Sequence, residues 1–243
     1  MNTTCGATKP PDNFRLKIHS GSCNEVDTIS NICNCPLLAQ TDTHKYLGII
    51  IDQNLNWAPH ITFLSKRVRK LIYLFKNLRE SADLKLMIRI YYALCQSLLT
   101  YCIPVWGGAG STHLLDLERA QRAVIKVMLK KPRLYPTDKL YKESGLLSVR
   151  QLFIFNSVLR HHKTIDPSSL VSQNRRQPRP RVPSYNLQLT RSQTYYSGPF
   201  LYRYFNDNLR IFPMCRTSLK TALNQSLKTL TYDSTEQLLK PVI

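Results

Sequence analysis

Two sets of cations carry the clearest chemical pattern in this chain. Lys66, Arg69, Lys70 and Lys76 fall on one side of an apolar repeat, and Arg119, Arg122, Lys126 and Lys130 recur at spacings of three and four. Residues three and four apart share a helix face. Each set therefore forms a cationic helix face; a solvated face is the ordinary use of such charge, and contact with the phosphates of a polyanion is the favoured reading for the second set. Glu118 lies off the second stripe, leaving that stripe almost unrelieved by acid.

Catalytic groupings are harder to find. The Asp residues stand alone at 12, 27, 42, 52, 83, 116, 138, 166, 207 and 233, with no Asp-Asp or Asp-x-Asp pair. A two-metal polymerase or nuclease site needs carboxylates clustered around cations roughly 4 Å apart. The Gly107-Gly108-Ala109-Gly110 run has no following Lys-Ser/Thr to engage phosphate and magnesium, and neither a Gly-x-Ser-x-Gly elbow nor a His-Glu-x-x-His pair occurs. His161 and His162 are adjacent on a helical pattern, so they point to different faces and suit helix-end hydrogen bonding better than chelation. Cys23, Cys33, Cys35 and His44 form a loose group, but Cys-x-Cys is tighter than the usual zinc knuckle. The seven Cys are odd in number and scattered, as expected of reduced thiols rather than a disulfide framework.

The whole-chain balance agrees with the stripes. Against 15 acidic residues stand 34 Lys and Arg, giving a net charge of +19 and a pI near 9.8. That excess favours nucleic acid or an anionic surface as partner. With 243 residues, 43% of them hydrophobic, the chain can bury at least one core. No apolar run approaches the ~18 to 20 residues a bilayer demands, and the polar N-terminus MNTTCGATKPPDNF lacks a signal-peptide core. An intracellular location, cytoplasmic or nuclear, is expected, with no membrane partner.

The elements that would position these residues follow from period. Phe14 to Ser20 alternates like a half-buried strand, Ile29 to Leu38 is a second extended run, and Tyr46 to Ile51 is a third, nearly continuous and expected to be the most buried. After Trp57 the period changes. Pro59 suits a first helical turn, and Ile61, Leu64, Val68, Leu71, Ile72, Phe75 and Leu78 make an apolar helix face opposite Lys66, Arg69, Lys70 and Lys76. A second helix starts near Ser81 to Asp83 and ends at Pro104. Trp106 to Gly110 is a loop, and a third helix capped by Ser111 or Thr112 buries Leu117, Val124, Ile125 and Met128. Pro136-Thr137-Asp138 opens a short helix that Gly145 closes, and Ser148 with Gln151 reads as a capping box. Residues 164–194 hold RRQPRPRVPS, an extended Pro/Arg-rich linker whose Arg175, Arg176, Arg179 and Arg181 could hold phosphate or simply keep the loop solvated. Two amphipathic helices follow, PFLYRYFNDNLRIF and SLKTALNQSLKTL, with Leu219, Leu223, Leu227 and Leu230 on one face. Tyr202, Tyr204 and Phe205 are expected in the core.

KYLGIIIDQNLNWAPHI, then the basic helix, then IRIYYALCQSLLTYCIPVWGG, then LLDLERAQRAVIKVML resembles the C-terminal part of the reverse transcriptase of non-LTR retrotransposons, the Jockey-like and CR1-like elements. LTRSQTYYSGPFLYRYFNDNL is similar to the tail of those elements. The resemblance implies a fold that is α+β and mostly α: a remnant of palm over residues 1–56, a helical thumb-like domain over 57–163, a linker over 164–198 and a helical tail over 199–243. In that family the Leu-Gly turn belongs to the primer grip, and Tyr46, Leu47 and Gly48 match it. The following helices correspond to the thumb, which holds a template-primer duplex by its phosphates, the task implied for Lys66, Arg69, Lys70, Lys76, Arg119, Arg122, Lys126 and Lys130.

The family's Ala-Asp-Asp motif and upstream metal-binding Asp are absent from this sequence. The resemblance therefore implies a piece of an RNA-directed DNA polymerase that does not polymerise alone, with no cofactor of its own and Mg2+ expected only for a complete polymerase. RNA or DNA would be the partner. The other readings of the same pattern are a domesticated nucleic-acid-binding protein and a helical protein-interaction module.

Overall fold

The computed structural model describes residues 41–165, 194–212 and 214–240. The strands expected over 14–20 and 29–38, the Cys23–Cys35 group and the Arg-rich centre of the linker lie outside them.

The described chain begins with a tight reversal. Strands β1 (Thr43–Tyr46) and β2 (Ile49–Asp52) pair antiparallel, with Tyr46 opposite Ile49 and Thr43 opposite Asp52. Leu47 and Gly48 are left as the turn, at φ 45° and 84°. Positive φ at both central positions is the requirement of a type I′ hairpin, which Gly48 meets at no steric cost and Leu47 does not. The expectation of one continuous strand from Tyr46 to Ile51 is thereby corrected. An apolar run does not distinguish a buried strand from two strands around a turn. Ile49 is buried, but Tyr46 and Leu47 are 59% and 72% exposed.

Helix α1 (Ala58–Leu78) follows, with Pro59 in its first turn as expected. Ile61, Leu64, Val68 and Phe75 are buried, and Leu71, Ile72 and Leu78 pack half-buried against the same core. Asp83 caps α2 (Leu84–Ile90), its carboxylate accepting the Leu86 N–H at 3.0 Å. The helix continues through a more widely wound segment, Tyr91–Gln96, into α3 (Ser97–Thr100). The sequence suggests why. Met87, Tyr91, Cys95 and Leu99 are all buried and spaced by four, and at 100° per residue each step of four would rotate the stripe by about 40°. A segment closed by i to i+5 bonds turns less per residue and brings the stripe back toward the core.

Pro104 sits differently from expectation. The helix ends at Tyr101 and Cys102, the latter at φ 49°, and Pro104 lies in the first turn of a new helix, α4 (Ile103–Trp106). Proline lacks the N–H that a first turn leaves unbonded anyway, so it fits a start as well as a stop. Helix α5 (Ser111–Met128) buries the expected Leu117, Val124, Ile125 and Met128, together with Leu114, Ala120 and Gln121, and packs along α1. Gly145, at φ 64°, closes α6 (Thr137–Ser144).

Helix α7 (Val149–Thr164) begins with the anticipated capping box. The Gln151 N–H donates to Ser148 Oγ at 3.2 Å and the Ser148 N–H to Gln151 Oε1 at 2.9 Å. This helix is the centre of the molecule, with α3, α4, α5 and three later helices packed on it. Those are α8 (Thr194–Leu209), α9 (Arg216–Thr229) and α10 (Tyr232–Leu239). Helix α8 begins ahead of Pro199, and α10 was not expected. Leu201, Tyr202, Phe205, Leu219, Leu223, Leu227 and Leu239 join one hydrophobic cluster with α1, α5 and α7. Tyr202 and Phe205 are buried as expected, while Tyr204 is 40% exposed. The fold is α+β and mostly α, a small N-terminal hairpin followed by packed helices.

Candidate nucleic-acid interface

The hairpin turn matched by Tyr46, Leu47 and Gly48 projects from the surface but is tied down from behind. The Tyr101 hydroxyl donates to the Leu47 carbonyl oxygen at 2.7 Å. In β2, Ile50 faces Lys45 in register, a position whose N–H turns away from the partner strand, and it donates to His60 Nδ1 at 3.3 Å. At the base, the buried Asp52 carboxylate accepts the N–H groups of Asn56 at 3.1 Å and Trp57 at 2.9 Å. Trp57 is the N-cap of α1 in the left-handed region, at φ 65°, so Asp52 holds an otherwise unfavourable strand-to-helix turn. Reading Asp52 as one more isolated aspartate missed this role, because Asp-x-x-x-Asn-Trp has no well-marked sequence signature.

Beyond this junction runs the α1 face. Lys66, Arg69, Lys70 and Lys76 are all exposed, and none has a carboxylate partner among the described residues. Tyr73, 73% exposed, lies three or four residues from Arg69, Lys70 and Lys76, so an aromatic ring stands within the cationic stripe. The helix spans roughly 31 Å at 1.5 Å per residue. Two further cations adjoin this face at its hairpin end. Lys45 Nζ lies 5.7 Å and Arg67 Cζ 5.6 Å from the centroid of the Phe63 ring. Sequence spacing alone gave no reason to join a strand lysine to a helix arginine.

The α5 stripe is differently used. Arg119 pairs with Asp116 at 3.2 Å, and Lys130 lies 3.7 Å from Glu80. Lys126 donates to the carbonyl of Arg133 at 2.6 Å, and partial burial, then the neighbouring Arg122 charge, push its ammonium pKa down. Arg122 is 3.9 Å from Glu118 and sits over the Tyr232 ring at 5.9 Å. The expectation that the stripe is nearly unrelieved by acid is corrected: Glu118 is fully buried and serves as the hub of a polar network. It accepts from Arg150 Nε at 2.8 Å and from the Tyr232 hydroxyl at 2.5 Å, while Arg150 also reaches Glu236 at 3.3 Å. Glu118 and Arg122 thus tie α5 to α7 and α10.

Several buried titratable groups serve packing. Burial pushes His60 down to about 4, consistent with a neutral imidazole whose Nδ1 accepts from Ile50 and whose ring meets Trp106 edge-on. Burial, and then the adjacent His162, bring His161 to about 4 as well; both rings pack on Tyr202. Burial raises the Cys95 thiol to about 12. The exposed Cys215 is lowered to about 6, chiefly by hydrogen bonds with Ser218 and Thr217. Among the described residues no group of three His, Cys, Asp or Glu is placed to hold a metal ion, and no helix is long and apolar enough to cross a membrane.

A mostly helical protein with a short hairpin and an exposed cationic helix face is the class that fold and surface define. Known proteins narrow it. The chain is 31% identical over 124 residues to the RNA-directed DNA polymerase from mobile element jockey of Drosophila funebris, and 25% identical over 125 residues to that of Drosophila melanogaster. These matches cover 46% and 47% of this chain but 13% and 14% of the relatives, so the chain spans a small share of their length. No protein-family model and no solved structure matches it. The resemblance drawn from the motifs holds: over about half its length the chain is similar to a partial reverse-transcriptase region of non-LTR retrotransposons.

Proposed function

We propose that this chain is the primer-grip and thumb-like part of an RNA-directed DNA polymerase, and that it holds a template-primer duplex by its phosphates. The observation that carries this reading is the α1 face. Lys66, Arg69, Lys70 and Lys76 present cations with no carboxylate partner among the described residues, beside a rigidly anchored hairpin turn. Cations committed to internal pairs must give up those contacts to bind a ligand, whereas unpaired ones need not. On this reading α1 is the principal contact and Arg119 and Lys130 are lesser ones, with Arg122 and Lys126 chiefly structural.

Nucleotidyl transfer is a separate matter. No catalytic step forms part of this reading. Its role is to bind and orient.

The test is duplex binding by fluorescence anisotropy across a salt series. The wild type should bind with little sequence preference, log K falling by roughly 0.7 to 0.9 per phosphate contact as log salt rises. Lys66→Gln/Arg69→Gln/Lys70→Gln should weaken binding and flatten that slope, whereas Arg119→Gln alone should change either far less. Affinity indifferent to salt, or a triple variant that binds like the wild type, would overturn the reading.

A further inference from the structure

Lys45 and Arg67 come from different elements, a strand and a helix, yet converge on the same ring. Each lies within 6 Å of the Phe63 centroid, close enough for attraction to the aromatic face. Neither has a carboxylate partner among the described residues. The scaffold holds the elements that carry them: the Ile50 N–H bond to His60, the Tyr101 bond to Leu47 and the two bonds to Asp52 fix the hairpin against the helices. Two exposed cations that meet the same ring, with no carboxylate partner among the described residues, fit an anion that accepts from both. The strongest charge-assisted bonds of lysine and arginine are to such oxyanions.

We propose that Lys45 and Arg67 together hold a single backbone phosphodiester of a bound nucleic-acid strand, at an anion site that spans the hairpin and α1 beside the Leu47–Gly48 turn. This rests on the duplex-binding reading above and adds to it the point where the strand passes from the helix face to the hairpin. A phosphodiester offers two anionic oxygens, one for the ammonium and one or both for the guanidinium. Phe63 acts as the spacer that holds both cations without neutralising either.

The experiment is a double-mutant cycle on the full chain with a template-primer duplex, using Lys45→Gln, Arg67→Gln and both together. Each single variant should lower affinity about tenfold, the scale expected of a lost charge-assisted bond. Because the two act on the same phosphate, the double variant should lose far less than the product of the singles, and its salt slope should fall by the equivalent of one phosphate, roughly 0.7 to 0.9. Replacing primer-strand phosphates one at a time by methylphosphonate should reveal a position that weakens the wild type but not the double variant. Lys45→Arg should restore most of the affinity. Independent effects of the two substitutions, with the salt slope of the double variant falling by the equivalent of two phosphates, would overturn the site, and so would no effect at all. If Lys66→Gln/Arg69→Gln/Lys70→Gln abolishes binding while Lys45→Gln/Arg67→Gln does not, the site fails and the duplex reading stands. If the wild type binds no duplex, both fail.

Discussion

The hydroxyl of Tyr101 bonds the carbonyl of Leu47 across 54 positions of chain, joining the end of a helix to the tip of the hairpin. A two-stranded hairpin is marginal by itself, so its orientation depends on such ties. Tyr101 is half exposed, and the Trp106 indole N–H fixes the Tyr101 carbonyl at 2.9 Å, which holds the ring's backbone in place. Tyr101→Phe should keep the ring and lose only the bond, costing about 1 kcal/mol. Amide exchange at Tyr46, Ile49 and Ile50 should accelerate several-fold while the amides of α5 and α7 stay unchanged. Uniform acceleration, or none, would show that the hairpin does not depend on this contact.

Acid should loosen the same junction. His60 titrates near 6.5 in an unfolded chain but only near 4 when folded, because its buried ring is poorly solvated. Between these values the unfolded state binds more protons than the folded one. Stability is therefore fully present above about pH 6.5 and declines as pH falls toward about 4, by up to about 1.4 kcal/mol per pH unit for this group. His161 contributes with the same sign. Urea midpoints between pH 7 and 4.5 should fall, and His60→Gln should fall less steeply. Parallel slopes in the two proteins would remove His60 from the explanation.

The buried Glu118 makes a third prediction. Glu118→Ala leaves Arg150 buried without its principal partner, a change that typically costs about 3 to 5 kcal/mol. Tyr232→Phe removes one bond to a carboxylate and should cost about 1.5 to 3 kcal/mol. Arg119→Gln, at an exposed ion pair, should cost less than about 1 kcal/mol. Urea denaturation distinguishes these ranks. Equal costs at positions 118 and 119 would contradict the division of α5 into a buried network and an exposed edge.

Local features were legible in the sequence where neighbouring residues decide them. The Ser148/Gln151 capping box, the Gly145 stop, the Asp83 cap and the apolar faces of α1 and α5 each depend on residues within about one turn, so spacing was sufficient. The Leu47–Gly48 turn was obscured by the apolar residues around it, and Pro104 was read as a stop when it fits equally well as a start. Helix α10 went unseen because its face is short and its stability comes from Tyr232 and Glu236 reaching Glu118 and Arg150 far back in the chain.

By itself, the sequence determined how much positive charge the protein carries, which helices hold it, and the likeness to a reverse transcriptase. Only the tertiary structure decided which of that charge faces outward. Arg122 and Lys66 look alike in a helical repeat, but one rests between Glu118 and the Tyr232 ring and the other has no carboxylate partner among the described residues. The physical reason is range. Helical period fixes direction around one axis, whereas a salt bridge or a cation over a ring depends on what other elements bring within a few ångströms, as Phe63 brings together Lys45 and Arg67.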